Sequence, residues 1–435
     1  MKQILWFRRD LRVEDNAILS YGGEVLPIFI FDKNILQKLE RDDKRVSFIY
    51  HYVMKLKSDL RVLGLDLKIF YDTPKNVFER VLQENDFDEV VASGDYDSYA
   101  RERDIEISHQ IPFRYINETY LLKPKQVLKK DGTPYLVFTP FFKEVMRQLP
   151  SLDLSCKPVS NMKLIDTDYE NFPTLESMGF EKQELGIVPP QDKLANIKEN
   201  LSVYKNDRDF MMRDVTSHLS VDLRFGTIGT RRIFRELLPL NESYEFLREL
   251  VFREFYAYLL FHFPILEREN FKYSFNGVYD EENYQKFISA QTGVPIVDAG
   301  IKELLQTGDM HNRIRMIVAS FFTKDLLLPW QKGEEFFAKH LLDYDKASNV
   351  LSWQWSAGTG VDPQPYFRVF NPYLQSKKFD ADAEYIKHYL PQLKDIPAKY
   401  LHDENYLLNT NISGYPKPML SHKECAKRAI EAFNN

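Results

Sequence analysis

Cysteine is scarce: Cys156 and Cys425 are the only two in 435 residues. They are too few and too far apart for a disulfide framework, an iron–sulfur cluster or a cysteine-built zinc site, and a reducing cytoplasm is the expected location. Long hydrophobic runs are missing too. No stretch of eighteen apolar residues occurs, so no membrane-spanning helix is expected. The opening MKQILWFRRDLRVEDN places charges directly after a short apolar run and offers no small-residue cleavage site, which argues against a secretory signal. Neither charge sign dominates. The formal net charge is -6, which disfavours nucleic-acid binding by the whole surface and would require a local basic patch. Tryptophan is rare at 4, yet 32 Phe and 25 Tyr make the chain rich in aromatics. Most such rings serve packing. They are also what stacking of planar ligands, or electron passage between rings, requires.

With 44% hydrophobic residues the chain is too long for one compact core, and two domains are expected. The first part alternates strand and helix patterns. Residues 4–7 and 25–31 are apolar runs, the second apolar enough for a strand buried on both faces. Asp15 and Asn16 between them are helix N-cap candidates. Val46, Ile49, Val53, Leu56, Leu60 and Leu63 recur at helical spacing, and Gly64 closes that helix. Strand 65–71, helix 75–83, strand 89–92 and helix 99–108 follow. This order predicts a doubly wound, Rossmann-like parallel sheet over residues 1–130. No G-x-G-x-x-G follows the first strand, so the ordinary dinucleotide fingerprint is absent. Pro158, Pro173, Pro189 and Pro190 among mixed polar residues mark a long connection, assigned to 131–195. Beyond it strand signals fade. Helical stretches such as 243–261, 296–305 and 312–328 predict an all-α domain over 196–435. No internal repeat or low-complexity tract appears.

Four stretches in the second half carry chemistry. Thr216, Ser217 and Ser220 stand beside a helix start, with His218 and Leu219 between them. Their hydroxyls and the free N–H groups there can meet phosphate oxygens, or can simply cap the helix. Gly226 allows a tight turn after them. Glu249, Phe252 and Arg253 share one helical face, either lining a cavity or forming a plain Glu249–Arg253 surface ion pair. Asn312, Arg315 and Met316 share another face, with Arg313 beside them, and these arginines are either solvated or neutralise an anion. Asp343, Asp345 and Asn349 precede Trp353 and Trp355, two tryptophans one residue apart that are expected to stack separate partners on two sides of a bend. The two acids with Asn349 resemble a metal site, but no third acid or histidine is suitably spaced, so no metal is expected.

In order and spacing, WFRRDLRVEDN (6–16), TSHLSVDLRFG (216–226), ELVFREF (249–255), TGDMHNRIRM (307–316) and SWQWSAGTGVDPQPYFRVFNP (352–372) resemble the signature stretches of the photolyase/cryptochrome family. The resemblance spans nearly the whole chain. It implies an α/β domain, a linker and an all-α FAD-binding domain, in an enzyme that uses light to repair cyclobutane pyrimidine dimers in DNA. Carried over residue by residue, it implies that Thr216, Ser217, Leu219 and Ser220 hold the FAD pyrophosphate, with Tyr204 upstream touching the cofactor. Arg253, Arg315, Asp343 and Asp345 would surround the flavin, and Asn349 would face its N5. Arg315 is expected to pair with Asp343, since a desolvated charge needs a partner. The electron donor such chemistry needs is the fully reduced anionic flavin. The lesion would be flipped from the duplex and sandwiched by Trp355 and Phe252. Glu249 and Asn312 would hydrogen-bond its edges, with Met316 against it. Arg208, Arg313 and Arg368 are the implied phosphate contacts. UV-damaged DNA is the implied partner, and a monomer away from membranes is expected.

The chain departs from the family pattern at several positions. Phe252 stands where a tryptophan is usual, keeping an aromatic plate of smaller area. Of the family's three electron-hopping tryptophans, Trp353 and Trp330 match the inner two. Gly277 stands near the third position, between Phe275 and Tyr279, and Tyr279 or another tyrosine is expected to substitute. Asp309 replaces an aromatic residue without a reason visible in the sequence. The folate-type antenna pattern wants Asn-Glu where Tyr99 and Ala100 stand. The run from Asp95 to Arg101 is more similar to deazaflavin- or FMN-type sites, so a second chromophore of that kind is the expectation. The resemblance also admits a cryptochrome, a light sensor without repair activity. Glu249 with Asn312 and Met316, and the lack of a long C-terminal extension, favour dimer repair. Repair of (6–4) photoproducts would put histidine at Met316, and its iron–sulfur subgroup needs four cysteines. An electron-transfer flavoprotein acting on other proteins would leave the basic lesion-facing residues without a purpose.

Overall fold

The computed structural model describes every residue except Phe275, Asn276, Tyr366 and Asn435, so Phe275 beside Gly277 and Tyr366 of the last motif lie outside the described residues. The chain forms two compact units. One comprises Met1–Tyr135, Thr139–Leu201 and Ser217–Pro264; the other comprises Leu136–Phe138, Ser202–Thr216 and Ile265–Asn435. This division follows packing, whereas the one expected at residues 130 and 195 follows sequence pattern.

In the first unit, strand β1 (Lys2–Phe7) pairs in parallel with β2 (Gly23–Asp32) and β4 (Glu89–Ser93). With β3 (Lys68–Asp72) and β5 (Phe113–Ile116) the order is β3-β2-β1-β4-β5, all parallel. Helices α1 (Lys44–Val62), α2 (Pro74–Glu84) and α3 (Ser98–Ser108) make the crossovers. The alternation of β1 explains why both faces are covered. Leu5 and Phe7 join Val53, Leu56 and Leu60 of α1, while Ile4 and Trp6 join Val77, Phe78 and Val81 of α2. Each such side chain contributes roughly 1.5–3 kcal/mol through burial. The doubly wound sheet is as expected.

Two strands escape the sequence reading. β5 is mostly exposed, so it shows no apolar alternation. β6 (Met162–Leu164) lies inside the stretch read as a connection, after helix α4 (Phe138–Gln148), and pairs in parallel with Gly23–Val25 of β2. Three residues are too few to declare a period. The carboxyl ends of β1 and β4, where such sheets hold ligands, are filled by Arg8. Its guanidinium meets Asp104 at 2.5 Å and the Ser93 carbonyl, and lies 4.8 Å over the Trp6 ring.

The chain continues through α5 (Pro190–Asp207), α6 (Ser220–Phe225), α7 (Thr230–Leu237) and α8 (Tyr244–His262). The motifs at 6–16 and 216–226 are bound to each other. Leu11 N–H donates to the Phe225 carbonyl at 3.2 Å, Arg9 Nε to the Arg224 carbonyl at 3.0 Å and Arg12 Nη1 to the Gly226 carbonyl at 3.0 Å. Gly226 has φ +66°, and a β-carbon there would meet the Arg9 carbonyl oxygen at 1.9 Å. Glycine is therefore required both by the turn and by the approach. Arg231 on α7 closes the contact through Asp15 at 2.9 Å and Glu118 at 3.0 Å.

The second unit is helical. Its main elements are α9 (Glu281–Ile288), α10 (Pro295–Thr307), α11 (Asn312–Ser320), α12 (Trp330–His340) and α13 (Lys346–Ala357), followed by short helices and the last one, His422–Asn434. The stretch 312–328, expected to be one helix, changes after Ser320 into a π turn, Phe321–Asp325. That wide turn buries two charged side chains. Lys324 donates to the Ala357 carbonyl at 2.7 Å, and Asp325 meets His422 Nδ1 at 2.5 Å. π turns of this kind recur at functional sites. No helix among the described residues is long and apolar enough to cross a membrane.

Candidate active site

Helix α8 runs nineteen residues without glycine or proline. Leu247, Leu250, Val251 and Phe255 are buried, leaving Glu249, Phe252 and Arg253 partly exposed on one face. Arg253 turns to the backbone. Its Nη1 donates to the Thr119 carbonyl at 3.0 Å and Nη2 to the Leu223 carbonyl at 3.1 Å, with the guanidinium 4.5 Å over the Tyr120 ring. Arg248 instead comes to Glu249, at 3.8 Å, and lies 5.1 Å over the Phe252 ring. Glu254, next to Arg253, is buried and accepts the N–H groups of Leu121 and Leu122 at 2.9 and 3.0 Å. Burial raises its pKa to about 7.

The hydroxyl run before α6 does not supply the helix cap. Leu219 occupies the cap position, and its apolar side chain makes no capping bond to the first turn. Ser217 Oγ accepts the Leu219 N–H at 3.3 Å, and His218 takes φ +50° to shape the turn. Ser220, the first residue of α6, is exposed.

In the helical unit, Arg315 gathers three partners. Nε donates to the Met310 carbonyl at 2.6 Å, the two Nη groups clamp Asp343 at 3.1 and 2.9 Å, and Nη2 also reaches Asp309 at 3.0 Å. The expected Arg315–Asp343 pair is present. On the same helix α11, Asn312 Nδ2 lies 4.0 Å from Met316 Sδ. Arg313 is held by Asp209 at 2.7 Å and lies 4.5 Å over Phe379, so a phosphate would have to displace that carboxylate. His311 caps α11 by accepting the Arg313 N–H at 3.1 Å, and burial lowers its pKa to about 4. Tyr204 is buried with Arg208 5.5 Å over its ring, and Arg368 is exposed.

Helix α13 carries the remaining candidates. Asp345 is its N-cap, accepting the Ser348 N–H at 3.1 Å. Asn349 donates through Nδ2 to the Glu334 carbonyl at 3.2 Å and to Glu334 Oε1 at 3.0 Å. Trp353, one turn on, is buried 4.9 Å from Phe337 and 5.5 Å from Phe322. Trp355 is half-buried. The bend expected between the two tryptophans is absent, because both lie on one unbroken helix. Two residues of helical rotation, about 200°, are enough to aim the rings at different neighbours. Trp330 opens α12, its Nε1 donating to Asn270 Oδ1 at 2.8 Å.

A third tryptophan does not fit at Gly277, where φ is +75° and a β-carbon would meet the Leu327 carbonyl at 2.5 Å. A run of rings nevertheless reaches the surface. Exposed Tyr279 lies 5.7 Å from Tyr284, which lies 6.4 Å from Phe322, itself beside Trp353. The Tyr279 hydroxyl donates to Glu281, which pushes its pKa up to about 12. Among the described residues no group of three His, Cys, Asp or Glu could hold a metal ion.

Two family profiles match the chain: "DNA photolyase" over residues 3–160 and "FAD binding domain of DNA photolyase" over residues 246–435. This chain belongs to the photolyase/cryptochrome family. A deoxyribodipyrimidine photo-lyase of Alkalihalophilus pseudofirmus is 34% identical, the alignment covering 99% of this chain and 97% of the relative. Among solved structures, a bacterial class III photolyase from Agrobacterium tumefaciens is 31% identical with a TM-score of 0.86, covering 100% of this chain and 97% of that one. An archaeal photolyase from Sulfolobus tokodaii, solved with two FAD molecules, is 29% identical with a TM-score of 0.86 and covers 100% of both chains. The domain matched over residues 246–435 is an FAD-binding one, and FAD is the cofactor of this photolyase-family chain.

Two residues of interest gave no readable signal. Asp309, unexplained in the sequence, is a second carboxylate on Arg315. Glu334, one turn after Trp330, holds the Asn349 amide and is itself driven upward in pKa by burial. Spacing along α12 puts Glu334 on the Trp330 face, but nothing local ties it to Asn349. In the run read as antenna-like, Tyr99 hydrogen-bonds Asp32, Asp95 holds Arg9 at 2.8 Å and Tyr96 stacks on Tyr120 at 4.8 Å.

Proposed function

We propose that this photolyase-family protein repairs cyclobutane pyrimidine dimers in UV-damaged DNA with blue light. The observation that carries this reading is Glu249 and Phe252 one turn apart on α8, a carboxylate beside an aromatic plate. Each thymine of a dimer presents an imide N–H that suits a carboxylate and a ring face that suits an aromatic plate. Glu249 accepts that N–H, Phe252 and Trp355 stack against the rings, and Asn312 bonds the carbonyl edge with Met316 beside it. The dimer must leave the duplex to reach them. Arg208 and Arg368 take phosphates; Arg313 does so only by exchanging Asp209.

FAD, when bound and fully reduced, supplies under light the electron that splits the cyclobutane ring and takes it back, so no co-reactant is consumed. The donor set fits that cofactor. The uncapped first turn of α6, with Ser217 and Ser220 and neighbours Thr216 and Leu219, offers N–H and O–H donors to a pyrophosphate. Among the described residues, Met310, Asp343 and Asp309 take four of the five Arg315 N–H groups, leaving one as a donor. Asn349, its nitrogen held by Glu334, brings an amide oxygen as an acceptor. Tyr204, Arg253, Asp343 and Asp345 complete the surroundings, and Trp353 and Trp330 relay electrons inward.

The test uses anaerobically reduced protein and an oligonucleotide with one thymine dimer, in light and in darkness. Intact thymines should return only in light, and more slowly with Glu249→Ala. Flavin-loaded protein that binds the lesion and never repairs it would overturn the reading in favour of a cryptochrome-type light sensor. Organic extraction with mass spectrometry should yield a second, deazaflavin- or FMN-type chromophore besides FAD; FAD alone would remove the antenna from the reading.

A further inference from the structure

Arg315 is surrounded by more negative charge than it can neutralise. Asp343 alone would balance the guanidinium, and it does so with both oxygens, at 3.1 and 2.9 Å. Asp309 adds a second carboxylate at 3.0 Å, leaving the trio with a formal charge of one negative. Asp309 is fixed in this position, because Oδ1 also accepts the Met310 N–H at 2.7 Å while the Met310 carbonyl accepts from Arg315 Nε. Glu303 stands beside them, accepting the Tyr385 hydroxyl at 2.6 Å and the His311 N–H at 3.3 Å. Burial raises the Glu303 pKa to about 7, and the Asp309 charge pushes in the same direction. The guanidinium is thus a shared cation in an acidic surrounding.

We propose that Asp309 sets the reduction potential of the bound flavin, lowering it by overcompensating Arg315. This rests on the reading that Arg315 and Asp343 lie against the flavin. Reduction adds negative charge, and a fixed excess carboxylate nearby makes that charge less favourable. The reduced flavin is then a stronger electron donor, which suits an enzyme whose work is to give an electron away. The Asp309 side chain is 49% exposed, so water screens part of the effect and a few-fold shift is expected rather than several decades.

The experiment is an anaerobic spectroelectrochemical titration of the flavin-loaded full chain, comparing the parent with Asp309→Asn, Asp309→Ser and Asp309→Glu. Removing the charge, in Asn and Ser alike, should shift the equilibrium toward reduced flavin at least threefold, about 28 mV for a one-electron couple. The charge-conserving Glu variant should stay with the parent, and flavin content should be the same in all four. An unshifted potential in Asp309→Asn and Asp309→Ser at full flavin content would overturn the inference and leave the FAD assignment intact. An equal shift in Asp309→Glu would overturn it as well, because geometry rather than charge would then be responsible. A parent chain that takes up no FAD would overturn both.

Discussion

Gly333 lies directly beneath the Trp353 ring: a β-carbon there would meet Cη2 at 2.2 Å and Cζ3 at 2.3 Å. Trp353 cannot retreat, since Phe337 and Phe322 close on it edge-first at 4.9 and 5.5 Å. Alanine gains up to about 1 kcal/mol of helix propensity, but overpacking a rigid core costs roughly 1–3 kcal/mol. Gly333→Ala should therefore lower stability by about 1–2 kcal/mol and change the tryptophan emission. Urea unfolding that matches the parent would refute this packing argument.

Lys324 makes stability rise with pH in an unusual window. Burial lowers its pKa from 10.5 to about 7. Between those values the unfolded chain holds a proton that the folded chain has released, so this residue's contribution to folding grows as pH climbs from 7 to 10.5. Below pH 7 both states are protonated and the contribution is flat. The full span has an upper bound of roughly 5 kcal/mol. Measured by denaturant unfolding at pH 7 and 9.5, the parent should gain stability relative to Lys324→Met. Parallel curves would sink the idea.

Stacking predicts a graded series at the lesion-facing rings. Loss of one base–aromatic stack costs about 1–3 kcal/mol, so Trp355→Ala should bind a single-dimer oligonucleotide more weakly by that amount, with flavin content unchanged. Phe252→Trp restores a larger plate and should bind more tightly. Fluorescence anisotropy that ranks all three proteins equally would rule out the sandwich.

Tyr279 is expected to be the surface end of the electron path. Its hydroxyl already donates to Glu281, so oxidation of the ring has a carboxylate waiting for the proton. Flash photolysis of flavin-loaded protein should reveal a tyrosyl radical that Tyr279→Phe abolishes and Glu281→Gln slows. A long-lived tryptophanyl radical alone in the parent would exclude this role.

Much of this architecture is legible in the amino-acid sequence. The apolar residues of β1, β2 and α1 recur at the period of their own element, so local burial announces them, and α8 and α10 are readable on the same ground. The Arg315–Asp343 pair was foreseeable too, from a resemblance in sequence order together with the need of a buried charge for a partner. Glu249, Phe252 and Arg253 share a face simply because helical spacing puts them there.

What only the tertiary structure decided are the meetings between surfaces that carry no common period. The pairing of Met162–Leu164 with β2, the Arg9 carbonyl against Gly226, Glu334 under Asn349 and Gly333 under Trp353 each join segments whose local sequences are silent about one another. The π turn that buries Lys324 and Asp325 is of the same kind, since a helical pattern continues through it and only the partners Ala357 and His422 explain the change. Periodicity is a property of one element facing one environment. Close approach depends on which two elements meet and at what distance, and only packing in three dimensions sets that.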